Sequence, residues 1–197
     1  MSGTAHTNTR DIARAAVRAE LAQVAFDLFR REGFEKVTLD DLAAAAGVSR
    51  STFPRYFGTE EDAVLGAFDA HGKQAADALR ARPAAEDDWT ALRRAPDTVI
   101  ERYSQDPAGA LTTTRLVREI PALCARQLEK RHGRRPALAW ALAERDGSSG
   151  PATVGRTVRA AVAVDCLSIA IDHWTASDGR LDLVMLLDEA FAALAPS

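Results

Sequence analysis

The segment from residue 38 to residue 57, TLDDLAAAAGVSRSTFPRYF, constrains the fold of this chain more than any other. Thr38 is suited to cap a helix, and Asp41 then faces the amides of the first turn. Gly47 is suited to end that helix because it adopts positive φ without steric cost, and Ser49 can cap the next one. Two short helices joined by a glycine turn indicate a helix-turn-helix, whose second helix enters the DNA major groove.

The second helix of this pattern has an apolar side and a polar side. Val48, Phe53 and Phe57 recur at helical spacing and are expected to face inward. Arginine, serine and tyrosine on the outer side can bind guanine edges, phosphates or thymine methyl groups. An ordinary solvated face would explain any one of them, but the set in register with the caps favours DNA binding. The predicted DNA-binding residues are Thr38, Ser49, Arg50, Ser51, Thr52, Arg55 and Tyr56.

The run VTLDDLAAAAGVSRSTFPRYFGTEEDAV, preceded by FDLFRREGFE, resembles the signature of TetR-family transcriptional regulators over about residues 10 to 70. The resemblance implies an all-α fold: a three-helix helix-turn-helix unit, then a larger helical ligand-binding and dimerisation domain, about nine helices together. It also implies a homodimeric repressor that a small-molecule effector releases from a double-stranded DNA operator. The stretch RLVREIPALCARQLEKR resembles members suspected of sensing acyl-CoA-like ligands.

Two residues depart from the family pattern. Pro54 replaces an aromatic residue that contacts DNA, and Glu60 replaces a lysine that contacts a phosphate. A proline inside a helix costs ~3 kcal/mol, so we expect an irregular or shortened recognition helix. Glu60 suits the first turn of a helix starting after Thr59, but it would repel a phosphate. These departures keep open an alternative, in which the same fold has lost DNA binding and acts as a ligand or partner module.

The charge and the hydropathy of the chain bear on DNA binding and on membrane contact. The net charge is −3, of which residues 1–58 contribute +1, from eight Lys or Arg against seven acids, and the remainder −4. DNA steering must therefore come from local placement of charge. Arg10, Arg14 and Arg18 recur every four residues, and they could face the DNA backbone or form a solvated stripe. A mean hydropathy of −0.17 and the lack of an apolar leader or of a run of ~20 apolar residues predict a cytoplasmic protein without membrane contact.

No catalytic or metal-binding motif stands out, so we predict no enzyme and no cofactor. Cys124 and Cys166 lie in apolar helical surroundings and are most simply reduced core thiols. Asp165 and Asp172, close to an apolar stripe, need partners such as Arg115, Arg118 or Arg126.

The pattern divides the chain into helical segments. Prolines predict a break or kink near Pro96 and an interruption of a later helix near residues 133–136. The first helix is predicted from about residue 11 to 32, with a stripe of Val17, Leu21, Val24, Ala25, Leu28 and Phe29. The predicted domains are a flexible arm (1–9), the DNA-binding domain (10–58), a linking helix (59–82) and the ligand-binding and dimerisation domain (83–197).

The last two helices are strongly apolar. So much apolar surface on terminal elements predicts half of a four-helix dimer interface, with an ordinary intrachain core as the alternative. The predicted interface residues are Val154, Val158, Val162, Leu183, Leu187 and Phe191.

A ligand pocket follows only from the family resemblance. Candidates are large side chains on helices expected to face the domain interior, together with one carboxylate. They are Phe68, Trp89, Tyr103, Leu116, Ile120, Cys124, Trp140, Asp165 and Trp174.

Overall fold

The computed structural model describes residues 9–148 and 152–194, with all side chains in these ranges except those of residues 11, 35, 60 and 67–73. Its described backbone contains ten α-helices, one short 3₁₀ helix and no strand. The chain divides into two compact units, residues 1–69 and residues 70–197. The boundary falls inside the fourth helix, and each unit has its own core.

The first unit is built from α1 and three shorter elements, followed by the start of α4. The 3₁₀ helix follows Gly33, which ends α1. The bounds are α1 Thr9–Glu32, 3₁₀ helix Phe34–Lys36, α2 Leu39–Ala45, α3 Phe53–Tyr56 and α4 Glu60–Ala81. The core of this unit contains Leu21, Ala22, Ala25, Phe26, Leu28, Phe29, Val37, Leu42, Ala43, Phe53, Phe57, Ala63, Val64 and Leu65.

The predicted stripe of α1 is only partly correct. Leu21, Ala25, Leu28 and Phe29 are buried, as predicted, and Val24 is half-buried. Val17 is 42% exposed because burial along α1 begins only at Leu21.

Gly66 allows α4 to pack closely in the first unit. A Cβ at this position would lie 2.8 Å from Cε1 of Phe57 and 3.1 Å from Cβ of Ala22. Such distances leave no room for a side chain, so the missing Cβ brings α4 against α1 and the residue that follows α3.

The second unit is a helical bundle in which α9 packs against both α8 and α10. The bounds are α5 Asp88–Arg94, α6 Asp97–Gln105, α7 Pro107–Glu119, α8 Pro121–Arg145, α9 Val154–Ala176 and α10 Leu183–Ala192. Large buried side chains of its core include Leu79, Leu92, Leu142, Trp174, Leu187 and Phe191. None of the described helices is both long enough and apolar enough to cross a membrane.

Two prolines of this unit behave differently from each other. Pro96 separates α5 from α6, as predicted. Pro136 lies inside α8, so the predicted interruption there is wrong. Its ring removes one backbone donor, but buried residues on both sides, such as Leu123 and Leu138, keep the whole length of α8 packed.

The residues predicted for the dimer interface differ in their burial within the single chain. Leu183, Leu187 and Phe191 are 6%, 0% and 4% exposed within the single chain. Residues already buried in the protomer have no surface left to bury against a partner, so these three belong to the intrachain core. Val154 and Val158 are exposed, and Val162 is half-buried. The apolar residues still exposed on or beside α9 and α10 include Val154, Val158, Ile169, Leu181, Val184, Met185 and Leu194.

Arg145, the last residue of α8, fixes the end of α4. Its guanidinium donates to the carbonyl oxygens of Leu79, Arg82, Pro83 and Glu86, at 3.4, 2.8, 3.1 and 2.8 Å. Carbonyls at the end of a helix have no intrahelical donors, so a charged donor stabilises them.

Candidate DNA interface and ligand-binding region

The turn between α2 and α3 is built by the residues that the sequence analysis identified. The Thr38 amide donates to Oδ2 of Asp41 at 2.9 Å, and the Asp41 amide donates back to Oγ1 of Thr38 at 3.3 Å. The Thr38 hydroxyl also donates to this carboxylate, and these bonds hold the pKa of Asp41 below its ordinary value. The predicted cap of α2 is therefore confirmed as a complete capping box.

Gly47 ends α2 with φ of 64°. The Gly47 amide donates to the Ala44 carbonyl at 3.1 Å, and the Val48 amide donates to the Ala43 carbonyl at 3.0 Å. These two bonds form a Schellman motif, which requires positive φ at the residue after the cap. The chain therefore turns sharply toward α3, as the glycine predicted.

The start of α3 differs from the prediction. Ser49 does not cap an α-helix with its side chain, because its Oγ lies 3.1 Å from Oγ of Ser51 and 2.9 Å from Oγ1 of Thr52. The Thr52 amide bonds the Ser49 carbonyl at 2.8 Å and closes a turn, and α3 begins only at Phe53. Pro54 thus lies in the first helical turn, where its missing amide is not needed. The predicted shortening of the recognition helix is confirmed.

The side chains around α3 separate as predicted. Phe53 and Phe57 are buried, while Arg50, Ser51 and Arg55 are exposed. The other four predicted DNA-binding residues are also accessible: Thr38 and Ser49 are exposed, and Thr52 and Tyr56 are half-buried. Their contacts with DNA stay a prediction.

Asp40 is a neighbour of this surface that the sequence analysis missed. Nε of Arg50 lies 3.3 Å from Oδ1 of Asp40, with the two side chains 71% and 63% exposed. Asp40 precedes Asp41 in the first turn of α2, and its only signal in the sequence is that position. The carboxylate pairs with the arginine that is expected to meet DNA.

Two arginines of α1 hold the end of α3. Nη2 of Arg14 donates to the Arg55 carbonyl at 3.0 Å, and Nε of Arg18 donates to the Tyr56 carbonyl at 3.2 Å. The guanidinium carbon of Arg14 lies 5.5 Å from the centre of the Tyr56 ring, and that of Arg18 lies 5.0 Å from the centre of the Phe57 ring. Cations are favourable at a helix carboxyl end and over aromatic faces. The arginine stripe of α1 therefore supports α3 directly.

In the second unit, three of the predicted ligand residues take part in core packing. The Trp89 ring lies 4.6 Å from the Phe191 ring, and its Nε1 donates to the Phe191 carbonyl at 3.3 Å. Tyr103 meets the edge of buried Trp174 at 5.2 Å. Burial raises the pKa of the Tyr103 phenol.

The other predicted ligand residues are more dispersed. Leu116, Ile120 and Cys124 are half-buried, Trp140 is exposed, and the side chain of Phe68 lies outside the described part. A depression of about 530 Å³ is lined by Arg93, Asp97, Ile100, Glu101, Ser104, Gln105 and Val184, none of which was predicted.

Two carboxylates of this unit, Asp165 and Asp172, have arginine partners. Asp165 accepts both its bonds from Nη2 of Arg135, at 3.2 Å each, and Asp172 pairs with Arg118. Both cysteines are free, and burial raises the pKa of the Cys166 thiol.

Two family matches cover most of the chain. Residues 21–64 match the domain described as "Bacterial regulatory proteins, tetR family", and residues 86–197 match the "MftR C-terminal domain". The second match alone spans more than half of the chain. The chain belongs to the TetR family. The resemblance stated from the sequence is therefore confirmed, and the protein is a TetR-type transcriptional regulator.

Individual TetR-family proteins are similar to this chain over different lengths. It is 31% identical to the transcriptional regulator TcmR of Streptomyces glaucescens over 136 residues, which is 66% of this chain and 60% of TcmR. It is 28% identical to MftR of Mycobacterium tuberculosis, described as a mycofactocin biosynthesis regulator, over 90% of this chain and 89% of MftR. The chain thus spans less than two thirds of TcmR but most of MftR.

A solved structure supports the fold. FadR of Bacillus subtilis, in complex with stearoyl-CoA, is similar with a TM-score of 0.58 and 19% identity, over 89% of this chain and 96% of that chain. The predicted all-α TetR fold, with an N-terminal helix-turn-helix and a larger helical domain, is confirmed.

Proposed function

We propose that this protein is a homodimeric repressor that binds an operator in the cytoplasm through α3 and releases it when a small molecule binds the second unit. The observation that carries the proposal is the exposure of Arg50, Ser51 and Arg55 around a recognition helix fixed by a capping box and a Schellman turn. Arginine can bind guanine bidentately, and serine can bind bases or phosphates.

Dimerisation is needed for this mode of binding. Two recognition helices must reach half-sites about one helical turn apart, ~34 Å, or a multiple of that distance. The exposed apolar side chains of α9 and α10, such as Val158, Ile169 and Met185, supply surface for a two-fold partner. We place the interface on these residues.

The effector is proposed to enter the helical second unit. The half-buried residues Leu116, Ile120 and Cys124 lie at the end of α7 and the start of α8, and they are the first candidates for contact with an apolar ligand. FadR of Bacillus subtilis was crystallised with stearoyl-CoA, so an acyl-CoA-like molecule is the first class to test.

Two steps test the proposal. Purified protein is first used to select binding sites from random double-stranded DNA, and we expect a motif with two inverted half-sites. Fluorescence anisotropy on the selected site then measures release by stearoyl-CoA, with coenzyme A as the control for the acyl chain. Enrichment of no motif would contradict the proposed function.

A second function is favoured by one observation. The α3 helix has only four residues and contains Pro54 in place of an aromatic residue. A TetR fold that has lost DNA binding would fit this short helix. Such a protein would select no site from random DNA in the first step. It would still bind effectors under the conditions of the second step, and calorimetry would measure that binding.

A further inference from the structure

One face of α8 is polar where it meets α9. Gln127, Arg131 and Arg135 recur every four residues, so they lie one above another on the same side of the helix. Nη1 of Arg131 donates to the hydroxyl of buried Ser168, and Arg135 pairs with Asp165, both on α9. A polar seam therefore runs between two core helices of the second unit.

Three atoms of this seam have no partner in the described part of the chain. They are Oε1 of Gln127, Nε of Arg131 and Nε of Arg135, each buried. A buried polar atom without a hydrogen bond is destabilising, and such atoms in native proteins call for an explanation. Nε of Arg145, at the end of the same helix, is also unbonded, but its guanidinium has four carbonyl partners. The three atoms of the seam share one face of α8.

Arg131 differs from other arginines at similar positions in this unit. Arg93 and Arg156, whose side chains are each 15% exposed, have carboxylate partners: Asp97 and Asp188 for the first, Asp146 for the second. In the described part of the chain, half-buried Arg131 has only the neutral hydroxyl of Ser168. A partly buried guanidinium without a counter-charge is unfavourable.

The surrounding charge does not supply the missing anion. Residues 121–136 contain five Lys or Arg against one acid, in a chain of net charge −3. The nearby carboxylates are already paired: Glu129 with Arg126, Asp165 with Arg135, and Asp172 with Arg118. A water molecule could satisfy Nε of Arg131 but would not neutralise its charge.

We propose that Arg131, with the Ser168 hydroxyl and the Gln127 amide, binds an anionic group, a carboxylate or phosphate, carried by the effector. The Arg131 guanidinium can donate two parallel N–H bonds to either kind of oxyanion. The Gln127 amide, turned about its last bond, presents its two donors where Oε1 now lies. This inference rests on the proposed effector site in the second unit, but its test does not require DNA.

The test follows the Nε–H signals of arginine side chains by NMR while acetate or inorganic phosphate is added to the full chain. The wild type should show a saturable shift of the Arg131 signal with at least one of the two anions, and the stronger binder identifies the preferred oxyanion. In the Arg131 variants that signal is absent, so binding is followed by the Nε–H signal of Arg135, one turn away on the same face of α8. Arg131→Gln should weaken anion binding at least roughly tenfold, since the charged hydrogen bonds of the guanidinium are lost. Ser168→Ala should weaken it less.

Arg115→Gln is the matched control. Arg115 lies on α7 of the same unit and is already paired with Asp178, so this variant should bind the anions like the wild type. Circular dichroism verifies the fold of each variant, and Arg131→Lys, which keeps the charge without the fork, should bind between wild type and Arg131→Gln. Equal anion binding by the wild type and the Arg131 variants, or no saturable shift with either anion, would overturn the inference. Loss of DNA selection with anion binding intact would overturn the proposed function alone.

Discussion

At the scale of single residues, one acid, Asp40, restrains an arginine of the proposed DNA-binding surface. Arg50 is held by Asp40, an exposed ion pair that must loosen before the guanidinium can fork onto a base. Exposed pairs are worth only ~0.2 to 1 kcal/mol, so DNA can displace Asp40. The pair was not predictable from sequence, because its 3.3 Å contact depends on how tightly the Gly47 turn brings α2 and residue 50 together.

Replacing Asp40 should therefore improve DNA binding. Asp40→Asn frees Arg50 and removes a repelled carboxylate, so the dissociation constant for the selected operator should fall roughly two- to fivefold. Fluorescence anisotropy measures this change. Asp27→Asn, which breaks an exposed pair with Arg30 on α1, is the control and should leave affinity unchanged. Unchanged affinity in Asp40→Asn would mean that Arg50 does not reach DNA.

The capping box should give α2 a pH-dependent stability. The pKa of Asp41 is lower in the folded chain than its ordinary value of ~3.9. The Asp41 carboxylate therefore contributes fully to folding stability above that ordinary value, and this contribution is lost as the pH falls through the folded pKa. Thr38→Ala should lower Tm by a few degrees at pH 7 and by less near pH 3.

Thr153→Ala is the control for this prediction. Thr153 caps α9 by accepting a bond from the Arg156 amide, and among the described residues no carboxylate takes part in that cap. Its effect on Tm should be similar at both pH values. An equal loss at pH 7 and pH 3 in Thr38→Ala would show that the Asp41 carboxylate does not stabilise the turn.

At the scale of elements, the sequence predicted the helix-turn-helix but not the start of α3. Caps and glycine are local signals, and the structure keeps Thr38 and Gly47 in their predicted roles. Pro54 indicated an irregular helix, yet the short α3 also needs tertiary support at its carboxyl end. Part of that support comes from Arg14 and Arg18, which are distant in sequence from the carbonyls that they bind.

Arg18 should act as a positioning residue for α3. Removing its bond to the Tyr56 carbonyl in Arg18→Ala should weaken operator binding roughly tenfold. A phosphate contact would also lower the slope of log affinity against log salt by ~1 per subunit, whereas a positioning role leaves the slope unchanged. Anisotropy from low to moderate salt separates these roles.

Arg30→Ala is the control, because Arg30 is also on α1 but pairs only with exposed Asp27 among the contacts described. It should preserve both affinity and slope. A reduced salt slope in Arg18→Ala would assign this arginine to the DNA backbone instead.

At the scale of the whole molecule, periodicity identified the apolar stripes of α9 and α10 but not which side meets a partner. Both helices have apolar residues on two sides, and Leu183, Leu187 and Phe191 are the ones that fill the core. Which stripe is buried depends on the packing partners, α8 and α10 for α9, and α9 and α5 for α10, and the spacing within one helix does not contain that information. The same limit explains why large side chains such as Trp89 and Trp174 were candidates for a pocket and lie in core contacts.

The exposed and the buried apolar residues of α9 and α10 should respond differently to substitution by glutamate. Glutamate at exposed Met185 or Val158 should give folded monomers, because it places charge in the proposed interface without disturbing the protomer core. Glutamate at fully buried Leu187 should instead unfold the second unit, since an unpaired charge would be buried. Light scattering combined with circular dichroism distinguishes these results. A folded dimer in both exposed-site variants would place the interface elsewhere.

The most direct test of a DNA-reading α3 is the affinity of Arg50→Ala for the selected operator and for its single-base variants. If the Arg50 guanidinium reads a base, the variant should lose roughly 5- to 150-fold in affinity, and its preference should relax at one base pair of each half-site. A variant that binds the operator and every single-base variant with wild-type affinities would contradict the assignment of α3 and its preceding turn as the DNA-reading element.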